Sequence, residues 1–247
     1  MTPMGSVLDA FARALRDLRA PRVLAVMLVP PLAAILAWAA LAWTFGDDWA
    51  RWVAGFIAGS PWLSWIAKFG LTGVFVWASG IAAIAVLLPV VLVTAVLVAE
   101  MVAMPVVVPW VGARRFSRLE ERRGGTLTGS ILNAAVAIAA FAVLWIATLP
   151  LWFTGVGALV LPPVLSAYLN QRLFRYDALA EHASAGEYRL ILARARMRLF
   201  LLGLLLAFLY YIPVVNLAAP VVSALAFTHF CLDELARLRQ EGVMSDR

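Results

Sequence analysis

Two arginines beside the start of an apolar segment are the residues best placed to bind a charged ligand. Arg19 and Arg22 precede a run that carries no further charge until Asp47. A helix N-terminus has free N–H groups and a partial positive charge, so it favours an oxyanion, and a guanidinium adds paired hydrogen bonds. The alternative is that both arginines only fix the topology and bind lipid headgroups. Asn216, in a later apolar segment, is a neutral polar group that could act deeper on the same route.

The two histidines and the single cysteine form no catalytic or metal-binding pattern. His182 lies among polar residues and is predicted at the solvated surface. His229 has Asp233 at helical i,i+4 spacing, a pair that could relay protons but is more often a helix-end interaction. Cys231 is predicted to be a buried core residue. Since no metal-ligand spacing, phosphate loop or nucleophile elbow is found either, we expect no enzyme, no catalytic residue, no metal and no cofactor.

The composition indicates an integral membrane protein. Hydrophobic residues make up 64% of the 247 residues and charged residues 14%, against about 45–50% and about 25% in soluble domains. A globule of this composition would expose large apolar patches, which a bilayer can solvate instead. The net charge of +6 would suit nucleic acid. The basic residues lie in short segments between apolar runs, however, so we expect membrane lipids and not nucleic acid as partners.

The apolar runs and their proline positions predict an all-α membrane fold. We expect a single membrane domain, residues 1–247, with two long transmembrane helices, two partly inserted (re-entrant) helical hairpins and an amphipathic N-terminal helix. The segments are the amphipathic helix at 5–20, spanning helices at 22–45 and 69–99, hairpins at 131–170 and 199–230, and a cytoplasmic tail at 231–247. Leu8, Phe11, Leu15 and Leu18 form the apolar stripe of the first helix. That helix could lie among the headgroups or pack on the protein's own cytoplasmic face.

The stretch between the two spanning helices is too polar at its start to cross a membrane. Asp47 and Arg51 lie near that start, and several tryptophans follow, which favour the membrane–water interface. Segment 46–68 is therefore predicted to be an extracytoplasmic loop with an amphipathic helix. Within the first span, Pro30 and Pro31 predict a kink or a short separate helix.

The lengths of the hairpin arms favour partial insertion. Residues 199–212 form about 21 Å of helix, which is short of a hydrocarbon core of about 30 Å. Residues 131–149 form about 28 Å and could nearly cross. The turn of the second hairpin carries Pro213 and no charge, and such backbone at membrane depth must be covered by protein or line a wet cavity. Four or six full spans are the competing counts.

The distribution of basic residues predicts the orientation. Of the 20 lysines and arginines, only Arg51 and Lys68 fall between the two predicted spans. The positive-inside rule then places both termini in the cytoplasm. No cleavable signal peptide is expected, because residues 1–20 lack an apolar core region, so the first membrane helix would direct insertion.

Two segments of the chain resemble segments of one known family. Residues 212–220 read Ile-Pro-Val-Val-Asn-Leu-Ala-Ala-Pro and run on to Thr228. Residues 21–24 read Pro-Arg-Val-Leu, follow the amphipathic helix and lead through Pro30 into the first long apolar run. Both are similar to segments of the CysZ sulfate permeases and the related etoposide-induced-protein domain family. The resemblance covers most of the chain in the order and spacing of its segments.

The resemblance implies a multi-pass protein of the bacterial inner membrane that admits sulfate for assimilation and assembles as a homo-oligomer. It implies two long membrane helices plus two partly inserted hairpins. The family places its oxyanion at a short Gly-Leu-Arg loop before the first membrane helix. The corresponding stretch here reads Arg19-Ala20-Pro21-Arg22, without the glycine. Arg22 is the nearest match, so the resemblance implies substrate binding by Arg22, with Arg19 and Asn216 as further candidates.

Two functions from different classes remain open. The first is transport of sulfate or a related oxyanion into the cytoplasm, feeding sulfur assimilation. The second is a non-transport membrane scaffold or biogenesis factor, because re-entrant hairpins, a basic cytoplasmic face and interfacial tryptophans could also deform a bilayer or hold a partner. Uptake of sulfate, and its competition by selenate or sulfite, would separate the two.

Overall fold

The computed structural model describes residues 3–59 and 72–245. Every regular element in those residues is helical and none is a strand, which confirms the predicted all-α fold. The α-helices described are α1 Pro3–Asp17, α2 Pro21–Ala58, α3 Thr72–Arg115, α4 Leu127–Ala147, α5 Leu149–Trp152, α6 Val156–Ala180, α7 Ala185–Ala207, α8 Pro213–Asn216 and α9 Ala219–Ser245, with a 3-10 turn at Phe208–Tyr211.

Four of the described helices are long and apolar enough to cross a membrane. They are Pro21–Trp49 in α2, Leu87–Arg115 in α3, Thr128–Ala147 in α4 and Ala219–Gly242 in α9. In α4, 6% of the most apolar stretch is buried inside the protein, whereas in α9 89% of the corresponding stretch is buried. α4 therefore offers its apolar surface to the bilayer, whereas α9 is a core helix covered on all sides. How deeply each hairpin inserts stays a prediction.

Helix α1 packs on the protein through small residues. Val7, Ala10 and Ala14 are buried, and they form one face of the helix. Leu8 and Leu15, two members of the predicted apolar stripe, are exposed instead. The other two members, Phe11 and Leu18, are half-buried and pack on the core. The predicted stripe therefore packs only in part, and small residues line the closest contact, because alanine allows α1 to approach its neighbour more closely than leucine would.

Helix α2 is longer than the sequence predicts. α2 continues without interruption to Ala58, so the described part of segment 46–68 prolongs the helix of the first span and is not a separate helix. The membrane bounds of the span at 22–45 stay a prediction. Asp48 and Arg51 form an i,i+3 ion pair along the helix, and such pairs stabilise a helix rather than break it. Pro30 and Pro31 lie inside α2, so they do not mark a separate short helix. The part of the predicted loop at 60–68 lies outside the described residues.

Helix α3 also extends past its predicted end. The predicted second span stopped at residue 99, whereas α3 runs on to Arg115. Glu100, which follows the predicted end of the span, lies within this helix and accepts a hydrogen bond from the Tyr210 hydroxyl at 3.1 Å. The bounds of the span in the membrane stay a prediction. The predicted start of this span at 69–71 lies outside the described residues.

The two predicted hairpins are pairs of helices joined by irregular turns. α4 and α6 form the first, with α5 and Gly155 at its apex, where a φ of 72° suits glycine. α7 and α9 form the second, with the 3-10 turn and α8 between them. The basic stretch 171–198, which lies between the two hairpins, is helical except for residues 181–184. The predicted tail from residue 231 continues α9.

The chain divides into two compact units. The larger comprises Met1–Met27 with Ala99–Arg247, and the smaller Leu28–Val98. Within the smaller unit, the Trp38 indole donates a hydrogen bond to Thr94 Oγ1 at 3.2 Å. The core of the larger unit is built around α9, where Phe227 stacks on Phe174 of α6 at 5.7 Å between ring centres. A single membrane domain over residues 1–247 stays a prediction.

Candidate functional site

Arg22 lines an open cleft between the first turn of α2 and the last turns of α3. The cleft has a volume of about 500 Å³ and is lined by Arg22, Pro109, Trp110, Ala113 and Arg114. Among the described residues, no acidic side chain lines it. Two arginines and no carboxylate therefore line the cleft, a balance of charge that favours an anion.

The backbone at the start of α2 adds hydrogen-bond donors beside Arg22. The N–H of Leu24 is bonded to the carbonyl of Ala20 at 2.9 Å and so begins the helical ladder. Pro21 has no N–H, and the N–H groups of Arg22 and Val23 have no carbonyl in the preceding turn to accept them. The first turn of α2 thus offers two N–H donors at the positive end of its helix dipole.

The opposite wall of the cleft is shaped by Arg114 and Trp110. The guanidinium carbon of Arg114 lies 5.3 Å from the centre of the Trp110 ring. A cation over the face of tryptophan is attracted by the ring and held in one orientation. Arg114 was not singled out from the sequence. The available signal was its place in a basic segment that directly follows an apolar run.

A buried carboxylate, that of Asp17, holds the two walls in place. Asp17 is 5% exposed, and its carboxylate accepts hydrogen bonds from Arg115 Nη2 and from His229 Nε2, both at 2.8 Å. Its backbone carbonyl accepts the N–H of Ala20 at 3.0 Å, just before α2 begins. Asp17 therefore ties the start of α2 to the end of α3, one residue beyond Arg114.

The expected pairing of His229 with Asp233 is wrong. His229 bonds to Asp17, which lies 212 positions away in the sequence. Asp233 pairs instead with Arg13 of α1, which also bonds to Asp9 at 2.7 Å. The physical reason is that α1 packs along α9 and offers partners from a neighbouring helix, which a local spacing rule cannot detect.

His182 is also placed differently from its prediction. It is 4% exposed and lies in the connection between α6 and α7, so its predicted position at the solvated surface is wrong. The ring packs against α3, where a Cβ built on Gly112 would lie 3.0 Å from Nε2. Burial lowers the pKa of His182 and favours the neutral ring. Cys231 is fully buried, as predicted.

The other two candidate binding residues lie away from the lining of the Arg22 cleft. Arg19 is exposed in the turn between α1 and α2. Asn216 is half-buried at the end of α8, and its Oδ1 atom is buried without a hydrogen-bond partner. Their roles in binding stay predictions. Within 3–59 and 72–245, no group of three or more histidine, cysteine or acidic side chains could hold a metal ion.

An ionic network joins α9 to the connection between α6 and α7. Glu187 accepts hydrogen bonds from Arg239 Nε at 2.8 Å and Arg122 Nη1 at 3.1 Å. It also closes a capping box at the start of α7, accepting the N–H of Ser184 at 2.8 Å. Arg239 donates further to the carbonyl of His182 at 2.7 Å. Glu187 is thus the acceptor that fixes the start of α7 against the end of α9.

The same network predicts a pH-dependent contribution to stability. Desolvation alone would raise the pKa of Glu187, but the hydrogen bonds from Arg239 and Ser184 and the nearby guanidinium charges outweigh it and lower this pKa to about 2. Because the folded-state pKa lies below the ordinary value of 4.5, the stabilisation is complete above that pH and is lost as the pH falls towards 2.

This prediction is tested by measuring the melting temperatures of the wild-type protein and of Glu187→Gln in detergent from neutral pH down to acid pH. The difference should be largest near neutral pH and shrink in acid. Glu241→Gln is the control, because Glu241 pairs with Arg194 in an exposed ion pair that is worth little. A difference for Glu187→Gln that does not change with pH would contradict the assignment.

The chain was compared with known families, proteins and structures. A family model described as sulfate transporter CysZ/etoposide-induced protein 2.4 matches residues 10–220. The matched range includes both arginines of the cleft and the Asp17 anchor. No curated protein and no solved structure matches the chain.

Proposed function

The chain belongs to the family of the sulfate transporter CysZ and etoposide-induced protein 2.4, and we propose that it carries sulfate or a related oxyanion into the cytoplasm, where the anion feeds sulfur assimilation. Membership of this family supports a role in membrane transport. The substrate and the direction of transport are the parts that we add.

The observation that carries this proposal is the pair of arginines at the cleft. A tetrahedral oxyanion accepts several hydrogen bonds, and a guanidinium supplies two in parallel with geometric specificity. Arg22 and Arg114 line the same cleft, and the N–H groups at the start of α2 supply further donors. We assign Arg22 as the principal ligand, Arg19 as an exposed charge that attracts the anion, and Asn216 as a neutral contact further along its route.

The proposed setting is the bacterial inner membrane, with both termini in the cytoplasm and the protein assembled as a homo-oligomer. The positive-inside rule supports this orientation, because basic residues cluster at the N-terminal segment, after α3 and in α7. The cleft then opens at the cytoplasmic mouth of α2. A fluorophore on a cysteine introduced near the N-terminus, quenched only from the cytoplasmic side, would test the orientation.

Replacing Arg22 by alanine is expected to weaken sulfate binding to the purified protein by about 10- to 150-fold, because hydrogen bonds to charged groups contribute about 1.5–3 kcal/mol. Equilibrium binding of radiolabelled sulfate in detergent measures the change. Arg16→Ala is the matched control, since Arg16 is an exposed arginine of α1 that does not line the cleft. Equal losses in both variants would mean that only the net charge matters and would remove Arg22 from the site.

Transport itself is tested by sulfate uptake into liposomes that contain the purified protein, beside protein-free liposomes. Protein-dependent uptake that selenate or sulfite inhibits is the expected result. Absence of uptake by protein that is folded and inserted would favour the alternative, a non-transport membrane scaffold or biogenesis factor. In that case the cleft would bind the phosphate groups of lipids, and vesicles with anionic headgroups would compete with sulfate for it.

A further inference from the structure

A second open pocket lies where the connection after α3 meets the last turns of α9. Its lining comes from residues 115–120 and from Ala236, Arg239 and Gln240. Its volume is about 790 Å³, and pockets that hold small organic ligands measure about 300–1,000 Å³. None of its lining residues lines the Arg22 cleft, so this second pocket is a separate place on the molecule.

The charged residues of the second pocket are mostly basic. Arg115, Arg118 and Arg239 line it, together with one acidic residue, Glu120. The Glu120 carboxylate already has a cation of its own, because it lies 3.7 Å from Arg122, which is not part of the lining. One paired carboxylate does not balance three guanidinium groups. The second pocket therefore has an excess of positive charge, which favours an anion.

Two of the three arginines have hydrogen-bond donors to offer. Arg118 is exposed, and in the part of the chain that the structure describes it forms neither a hydrogen bond nor an ion pair. Arg115 uses one N–H group for Asp17, and a guanidinium has five. Arg239 is already held by Glu187 and by two backbone carbonyls. Arg115 and Arg118 can therefore form new hydrogen bonds, while Arg239 adds positive charge from a fixed position.

The second pocket also has apolar lining. Phe116, Leu119 and Ala236 belong to it, and Phe116 and Leu119 are half-buried and pack on the hydrophobic core. A bare inorganic oxyanion gains nothing from such a surface, whereas an organic anion can bury an apolar part against it. Guanidinium groups also stack on flat aromatic rings. The combination of basic donors with a fixed apolar surface suits an organic anion with a ring.

Arg115 links the second pocket to the Arg22 cleft. It donates to the buried Asp17 carboxylate at 2.8 Å, the contact that ties the start of α2 to the end of α3. Its neighbour in the chain, Arg114, lines the cleft. An anion in the second pocket competes with Asp17 for the charge of Arg115, and so weakens the contact that holds the two walls of the cleft. Binding at one place then lowers affinity at the other, and such coupling is reciprocal.

We propose that the second pocket binds an organic anion of nucleotide size that carries a phosphate or sulfate ester group, and that its occupation weakens sulfate binding at the Arg22 cleft. Arg115 and Arg118 bind the ester group, and Phe116 and Leu119 contact the apolar part. The binding rests on the lining of the second pocket alone, whereas the effect on sulfate rests on the transport function proposed above. In the proposed orientation this pocket opens to the cytoplasm, so a soluble compound of the cell would limit sulfate uptake.

The experiment uses adenosine monophosphate (AMP) as the probe and the purified full-length protein in detergent. Calorimetry measures AMP binding without sulfate, and radiolabelled sulfate binding is then measured with and without saturating AMP. We expect AMP to bind, adenosine and inorganic phosphate to compete with it only weakly, and saturating AMP to lower sulfate affinity at least about fivefold. Arg118→Ala should weaken AMP binding about 10- to 150-fold. Its sulfate affinity without AMP should equal that of the wild type.

Arg189→Ala is the matched control, because Arg189 is an exposed arginine of α7 that does not line the second pocket, and it should bind AMP like the wild type. No AMP binding by the wild type, or equal losses in Arg118→Ala and Arg189→Ala, would overturn the proposed site. Loss of AMP binding in Arg22→Ala would also overturn it, because AMP would then occupy the cleft. Inorganic phosphate that competes as strongly as AMP itself would rule out an organic ligand.

Two further outcomes separate the parts of this proposal. AMP binding that leaves sulfate affinity unchanged would overturn the coupling. AMP binding by a protein that does not bind sulfate would overturn the proposed function and leave the second pocket standing. Nanodiscs that contain phosphatidic acid should not displace AMP, and displacement would mean that the pocket takes a lipid headgroup instead of a soluble ester.

Discussion

Replacing Asp17 by alanine is expected to destabilise the folded protein by at least about 3 kcal/mol, the usual consequence of removing one partner from a buried ion pair. Arg115 and the fully buried His229 both donate to this carboxylate, and alanine leaves both without an acceptor. For a chain of this size, the melting temperature in detergent should fall by roughly 6–12 °C. Sulfate affinity should fall too, because the start of α2 and the end of α3 lose their common anchor.

Asp9→Ala is the matched control for this prediction. Asp9 is a second carboxylate on α1, but it is exposed, and its partner Arg13 keeps a bond to Asp233 when it is removed. We expect a change of less than about 1 kcal/mol for that variant. Equal melting temperatures for Asp17→Ala and Asp9→Ala would mean that the Asp17 carboxylate does not hold the walls of the cleft together.

Replacing Gly203 by valine is expected to prevent α6 and α7 from packing as they do. A Cβ at this position of α7 would lie 2.7 Å from the carbonyl oxygen of Ala167 and 3.2 Å from Gln171 Cβ on α6. Since one close atom is backbone, one of the helices must move. Membrane helices rely on such close approach of small residues. Gly203→Ala should already cost about 1–3 kcal/mol, and valine should lower the yield of folded protein further.

A second glycine of the same helix provides the control. At Gly186, in the first turn of α7, an added Cβ would meet only Ser184 Oγ, at 4.0 Å. Alanine there should leave the melting temperature unchanged or raise it, because alanine favours a helix by about 1 kcal/mol over glycine. Gly203→Ala with a melting temperature as high as that of Gly186→Ala would disprove the close packing of α6 on α7.

The sequence predicts the architecture better than the element boundaries. Apolar runs and charge identify an all-helical membrane protein and both hairpins, because burial in lipid leaves a strong compositional signal. Helices α2 and α3 run past the charged residues at which the predicted spans end. Asp48 forms an ion pair along α2, and Glu100 bonds to a partner more than a hundred residues away. The i,i+3 spacing of the first pair is visible in the sequence, whereas the contact of Glu100 leaves no local trace in it.

Only part of the candidate site could be predicted from the sequence. Arg22 stands beside the start of a helix, and both its position and the family resemblance indicate it. Arg114 and Asp17 belong to distant segments, and only the packing of α1 and α3 around α9 brings them to the same place. His182 was misread for the same reason, because the polar residues around it do not reveal that α3 covers its ring.

The central position of α9 has a consequence for the synthesis of the protein. Asp17 and His229 are separated by 212 positions, so at about 5–20 residues per second a ribosome makes the second roughly 10–40 s after the first. For most of that interval α1 exists without α9, the helix on which it packs. The packing face of α1 must therefore wait without its partner, and the bundle closes only when α9 arrives. A ribosome that stalls before α9 would leave an open intermediate for the quality-control proteases of the membrane.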